Sequence, residues 1–208
     1  RSHRFDLATG EWTRLSTNRL DNVTNPQYPA NHDSPSAYDP TAHRYYHVAQ
    51  QVHAVQELPY VDGADWTWKT TPQFGYASEE GEVRTAWVDD ARRLLLIHTT
   101  TGKLRALDLD NPAAGIKTLA LTGSMPAAVR LWSLYPIDGA FYTYPGSGQT
   151  IYRLAPPAGD PLTATWQATA VQITGVAIPP EVDTKSNGAH HHTRFFYVPP
   201  LQCFAWIP

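Results

Sequence analysis

Short apolar and aromatic runs, each bounded by Pro, Gly, Asp or Asn, follow one another along this chain. Nowhere does an apolar i, i+3, i+4, i+7 pattern persist between helix caps, so no helix is predicted. Runs such as "RYYHV", "LLLIH" and "AFYTY" are rich in the β-branched, aromatic and leucine side chains that suit strands. Four twelve-residue stretches align without a gap: "AYDPTAHRYYHV" from Ala37, "AWVDDARRLLLI" from Ala86, "SLYPIDGAFYTY" from Ser133 and "FYVPPLQCFAWI" from Phe196. Each reads as a strand, a turn built from Asp, Pro or Gly, and a second strand. Their starts lie 49, 47 and 63 residues apart.

A second pair of strand-like segments follows each of the first three: "VHAVQEL" and "DWTWKT", "KLRALDL" and "IKTLALT", "TIYRLAP" and "TWQATAV". The predicted unit is therefore four strands. The last stretch, inside "RFFYVPPLQCFAWIP", has no second half, whereas "SHRFDLATGEWTRL" at the other end has only a second half. An isolated hairpin is marginal in water and exposes its edges. The expectation is that the two chain ends complete one sheet, with Trp12 and Phe204 in the same unit. The predicted units are 34–70, 84–122, 130–173, and 194–208 together with 1–15, in one domain over 1–208.

Radially repeated four-stranded sheets at a period of about 40–50 residues predict an all-β propeller. Either four repeats form a complete four-bladed ring, or they are part of a six- to seven-bladed one. The segments "RFDLATGEWTRL" and "SAYDPTAHRYYHVA" resemble the end and the start of a kelch-type repeat, as in kelch and galactose-oxidase-like propellers. The Gly-Gly pair common after the second kelch strand is missing from every repeat. The resemblance implies an extracellular or periplasmic setting. Trp12, Trp68 and Trp166 occupy similar late positions in their units and are expected to pack between sheets.

The chain has 208 residues, 42% hydrophobic and 17% charged, with 18 prolines and 13 glycines, an ordered and turn-rich composition. A net charge of −3 gives no reason to expect a nucleic acid or an anionic membrane as partner. The apolar runs are too short to span a bilayer, so no membrane insertion is expected. Cys203 is the only cysteine, which excludes an intrachain disulfide and a Cys-rich metal site; it is expected to be a small buried hydrophobe. The chain carries no initiator Met and no signal-like segment, and reads as a processed or excised product.

In propellers the first strand of each blade lines the channel, and the loops entering it gather on one face. Arg84, Arg130 and Arg194 each stand just ahead of an aligned hairpin, with Pro35 in the fourth place and His32 and Asp33 before it. Three guanidinium groups converging there would suit a carboxylate, sulfate or phosphate. Pairing with neighbours such as Glu79, Glu80 and Glu82 is the structural alternative. In "NGAHHHTR", His190 and His192 share one face of an extended segment, fit for acid–base work or, with further ligands such as His32, Asp33 or His98, for a metal. A solvated loop is the simpler reading. Trp87 and Trp132 lie near first strands, where they would pack in the core or stack on a sugar ring at the channel mouth. Tyr46-His47 is an adjacent pair of the kind copper radical oxidases use, and resemblance to them would implicate Cys203 as well.

These residues point first to a binding domain for an anionic saccharide or a protein partner, with Arg84, Arg130, Arg194, His32 and Trp132 at the site and no cofactor. The alternative is a lyase cleaving an acidic polysaccharide by β-elimination. There Arg130 or Arg194 would neutralise the uronate carboxylate, His190 or His192 would be the base, and Tyr135 the acid. A copper oxidase and a purely structural scaffold are the minor readings.

Overall fold

The computed structural model describes residues 3–14, 35–49, 54–59, 69–70, 83–99, 101–123, 125, 135–143, 149–174 and 195–206. Among them the regular structure is strand, apart from single 3-10 turns at Pro112–Ala114 and Pro199–Leu201. None of the described residues forms a helix long and apolar enough to cross a membrane.

Two four-stranded antiparallel sheets come first. Sheet I contains β3 (Ser36–Asp39), β4 (Arg44–Ala49), β5 (Ala54–Pro59) and β6 (Lys69–Thr70). Sheet II contains β7 (Val83–Asp89), β8 (Leu94–Thr99), β9 (Leu104–Asp108) and β10 (Ile116–Thr118), again in meander order. Sheet III has the meander β12 (Tyr135–Ile137), β13 (Ala140–Thr143), β14 (Thr150–Ala155) and β15 (Trp166–Gln172), with β11 (Leu121–Thr122) added outside β15. The segment "IKTLALT", expected as one fourth strand, is thus divided. Its first half pairs with β9, and its second half crosses to sheet III and runs parallel to β15. Gly123 ends this crossing at φ +76, where a Cβ would overlap the carbonyl oxygen of Ala168.

Sheet II lies between the other two, and this explains its composition. Ala37, Tyr46 and Val48 of sheet I pack with Val88, Leu95, Ile97 and Leu107 of sheet II. On its other face, Leu94, Leu96, Leu104 and Ala106 pack with Phe141, Leu154, Trp166 and Ala168 of sheet III. A strand covered on both faces has no solvent side, so β8 opens with the apolar run Leu94–Ile97 and is buried at every position, His98 and Thr99 included. Trp166 is fully buried, 6.3 Å from the Phe141 ring, and its Nε1–H donates to the Pro161 carbonyl at 2.8 Å. That satisfies the one polar atom of a large apolar side chain.

The turns between first and second strands share a geometry. Those of sheets I and II are four residues long, ending in His43 (φ 51) and Arg93 (φ 54) in the left-handed region. The C-terminal hairpin, β16 (Phe195–Val198) and β17 (Cys203–Trp206), repeats this with Gln202 at φ 48. Sheet III uses a two-residue turn, Asp138-Gly139, with φ 49 and 75, as a tight hairpin requires. The gapless alignment is therefore one residue out in the second repeat. It set Arg93 against Arg44, whereas the structure sets Arg93 against His43 and Leu94 against Arg44.

The chain ends depart from expectation. β1 (His3–Asp6) and β2 (Glu11–Arg14) form one two-stranded sheet, and β16 and β17 form another; among the described residues the two are not paired. The Phe204 ring instead lies 6.0 Å from Tyr142 of β13 and 5.3 Å from Tyr197. Among the described residues, Trp12 and Phe204 therefore lie in different sheets. Trp12 is exposed rather than packed between sheets, while Trp166 packs as expected and Trp68 lies outside the described residues. Cys203 is exposed, not buried. Among the described residues the sheets are open and no ring is closed.

Candidate functional site

Among the described residues, a concavity lies at the turn ends of the first strands, where sheets I, II and III come together. It has a volume of about 550 Å³. Sheet I contributes Ser36, Ala37 and Tyr38 of β3 and Pro40 of its turn. Sheet II contributes Trp87, Val88 and Asp89 of β7, then Asp90, Ala91 and Arg92. Sheet III adds Pro136, Gly139 and Phe141. Side chains alternate across a strand, and here the alternation divides β7. Trp87 lies against the sheet III side of the core, and Val88 packs toward sheet I.

An ion-pair network fixes one wall. Arg93 reaches from the second turn to sheet I, where Nη1 and Nη2 donate to Asp39 Oδ1 and Oδ2, both at 2.8 Å. Nη1 also donates to Asp90 at 2.7 Å and Nε to Asp110 at 3.3 Å. The Asp39 side chain is 0% exposed and also accepts the backbone N–H groups of Thr41 and Ala42, each at 3.0 Å. Burial by itself would raise the Asp39 pKa. The Arg93 hydrogen bonds and charge, with the two amides, outweigh it and hold the carboxyl below its ordinary range. Arg93 is in turn pushed up, chiefly by its hydrogen bonds to Asp39 and against the effect of its own burial. Its left-handed φ belongs to the four-residue turn, since His43 and Gln202 adopt nearly the same φ at the matching positions; the forked bond to Asp39 fixes its side chain. Beside it, Arg92 donates to Asp89 at 2.9 Å.

The wall's hydroxyls are engaged. Ser36 Oγ lies 3.1 Å from His47 Nδ1, and Tyr38 Oη lies 3.3 Å from His43 Nδ1. His47 and His98 are buried, and desolvation pushes each imidazole down to about 4, so both are neutral at physiological pH. Tyr46 beside His47 is core, packed between sheets I and II. Among the described residues no cluster of three or more His, Cys, Asp or Glu would hold a metal ion.

Of the saccharide-site and lyase residues singled out from sequence, two fall within described strands, away from this cavity. Arg84 lies in β7, outside the ladder at a bulge, because Val83 pairs with Thr99 and Thr85 with His98. Tyr135 is the first residue of β12. Arg130, Arg194, His32, Trp132, His190 and His192 lie outside the described residues, as do Asp33, Glu79, Glu80 and Glu82. The turn-end cavity was not foreseen. Its signal in the sequence was the acid-acid-x-Arg-Arg order of "DDARR", which brings Asp89 to Arg92 and Asp90 to Arg93 across single turns.

No family model matches the chain, and no curated protein matches it. Among solved structures it is similar to a structural genomics protein of unknown function from Bacteroides thetaiotaomicron, with 18% identity and a TM-score of 0.45 over 64% of this chain. It is similar to the major Malassezia sympodialis allergen Mala s 1, with 10% identity and a TM-score of 0.47 over 73% of this chain. A hemopexin-fold protein from cow pea matches with 15% identity and a TM-score of 0.36 over 61% of this chain. The chain spans 32%, 46% and 63% of these three structures respectively. With TM-scores below 0.5, none of these likenesses says what the chain binds or does.

Proposed function

We propose that this chain is a ligand-binding propeller-type module whose binding site is the turn-end cavity. The observation that carries the reading is a concavity of about 550 Å³ walled by three sheets, within the range of small-molecule sites. A wall clamped by a forked Arg–carboxylate pair is preorganised, which lowers the ordering cost of binding. A purely structural scaffold would present flat faces, and this face is not flat. The test is ligand-observed NMR against a panel of neutral sugars, uronates, amines and aromatic acids, repeated with Ala91→Trp to fill the cavity. Binding that the substitution abolishes supports the reading. No binding across the panel, or binding indifferent to Ala91→Trp, overturns it.

A second reading concerns the opposite face and an extracellular or periplasmic protein. There Arg84, Arg130 and Arg194, with His32 and Trp132, would bind an anionic saccharide. What supports it is the break in the ladder at Arg84, since such irregularities recur beside binding sites. Replacing the three arginines by Ala is expected to abolish retention on acidic polysaccharides, and unchanged retention would reject the idea. Its catalytic form is β-elimination, with His190 or His192 as base and Tyr135 as acid. The assay is the ultraviolet absorbance of the unsaturated product formed from pectin, alginate or sulfated uronans.

A further inference from the structure

We infer that the turn-end cavity takes an amphipathic organic cation: an ammonium group carried on an aromatic or branched apolar body. This deepens, and rests on, the ligand-binding reading of the same cavity. Three properties of the wall lead to it.

The wall is largely apolar, with the rings of Tyr38, Trp87 and Phe141 and the pyrrolidine of Pro136 facing a common space. An apolar body gains by leaving water there, and aromatic faces attract cations. Each lining hydroxyl already holds a histidine, Ser36 Oγ holding His47 and Tyr38 Oη holding His43, so only part of its capacity is left for a polyhydroxylated ligand.

Charge decides between cation and anion. Two carboxylates, Asp89 and Asp90, and one guanidinium, Arg92, line the cavity. Arg92 is bound to Asp89, leaving it poorly placed to receive an anion. The cation behind Asp90 is Arg93, which is shared with Asp39 and Asp110. With Arg44, the register partner of Asp39, also counted, the described residues set two guanidinium groups against three carboxylates there, which leaves an excess of negative charge. Asp90 is itself bound to Arg93 at 2.7 Å, but its side chain is 42% exposed against 29% for Arg92, which leaves it the more open of the two to a ligand from solvent. An ammonium near Asp90 with its body against Trp87 would meet both a carboxylate and a π face.

The experiment uses three probes on one skeleton, phenethylamine, 2-phenylethanol and 3-phenylpropionate, titrated into the whole chain at pH 7 with NMR detection at millimolar concentration. The amine is expected to bind roughly tenfold tighter than the alcohol, and the carboxylate more weakly than either. Asp90→Asn is expected to erase most of the amine's preference. Raising the salt from 0.05 to 0.5 M should narrow it in the wild-type chain, a readout that does not depend on a variant folding. If the alcohol or the carboxylate equals the amine, and Ala91→Trp abolishes all three, the cavity binds ligands but its preference for cations is refuted. If none of the probes binds, the cation inference is overturned, and the panel above then decides the cavity reading separately.

Discussion

Lowering the pH from 7 toward 4 is expected to destabilise this fold, because two neutral imidazoles are buried in it. His98 in β8 is 1% exposed and His47 in β4 is 5% exposed, and desolvation pushes both from 6.5 to about 4. In the unfolded chain each titrates near 6.5. Between pH 6.5 and 4 the unfolded state therefore binds protons that the folded state refuses, and stability falls as pH falls. Above 6.5 both states are neutral and the term vanishes. Each histidine removes about 1.4 kcal/mol per pH unit across this window, or about 3 kcal/mol by its lower end. Together they remove about 6 kcal/mol, comparable with the whole stability of a typical domain. Asp39 acts in the same direction but lower. Its depressed pKa contributes stability that is full above 3.8 and is lost as pH falls through the folded value. Urea unfolding at pH 7.5, 6.0, 5.0 and 4.5 measures the effect, with His47→Gln and His98→Gln each expected to remove about half the slope. A midpoint that does not change between pH 7 and 5 would refute the reasoning, as would a slope that survives in the double variant.

Three further outcomes test the packing. Removing Arg93 with Arg93→Ala leaves Asp39 buried and charged, and is expected to cost about 3 kcal/mol, the low end for a broken buried pair because Arg93 is 20% exposed; equilibrium denaturation measures it, and a loss below about 1 kcal/mol would remove the clamp. Gly123→Ala is expected to dislodge β11 from β15, read as lost hydrogen-exchange protection at the Trp166 amide, which donates to the Ala120 carbonyl at 2.8 Å; unchanged protection would contradict it. Gln202→Gly relieves a left-handed non-glycine residue and is expected to raise stability by about 0.5 kcal/mol after the entropy of glycine is counted; a clear loss in the same assay would show that the glutamine side chain has a role in the turn.

The paired strands were legible because their ends carry turn residues with a local mechanism. Asp138-Gly139 marks its own hairpin, and "DPTAH" and "VPPLQ" open turns of matching length. Register was less legible where burial removes its signal. A strand polar on one face announces its alignment through alternation, but the run Leu94–Ile97 that opens β8 is apolar on both faces and carries no such signal. That is why "AWVDDARRLLLI" was set one position out. The terminal hairpins were also recognisable, yet which edges meet depends on whole surfaces. The rings of Tyr142 and Phe204, more than 60 residues apart in the chain, meet where the repeat pattern pointed to a different pairing.

The candidate site shows the same division between local and distant causes. Long loops with arginine and histidine attract notice in a sequence, whereas tight turns read as punctuation. Asp89–Arg92 and Asp90–Arg93 are i,i+3 pairs within one turn and legible in "DDARR". The Asp39–Arg93 bond spans 54 residues and follows only from the packing of sheet I on sheet II. It is also the contact that gives the turn face its character. Arg93 at φ 54 shares its backbone geometry with His43 and Gln202, and what distinguishes it is a guanidinium bound to the carboxylates of Asp39, Asp90 and Asp110. The same guanidinium joins two sheets and positions Asp90, so the rigidity of the wall and its charge have one source. A substitution that frees Arg93 should therefore loosen the fold and blunt the cavity's preference for cations together, whereas Asp90→Asn should blunt the preference at a much smaller cost in stability.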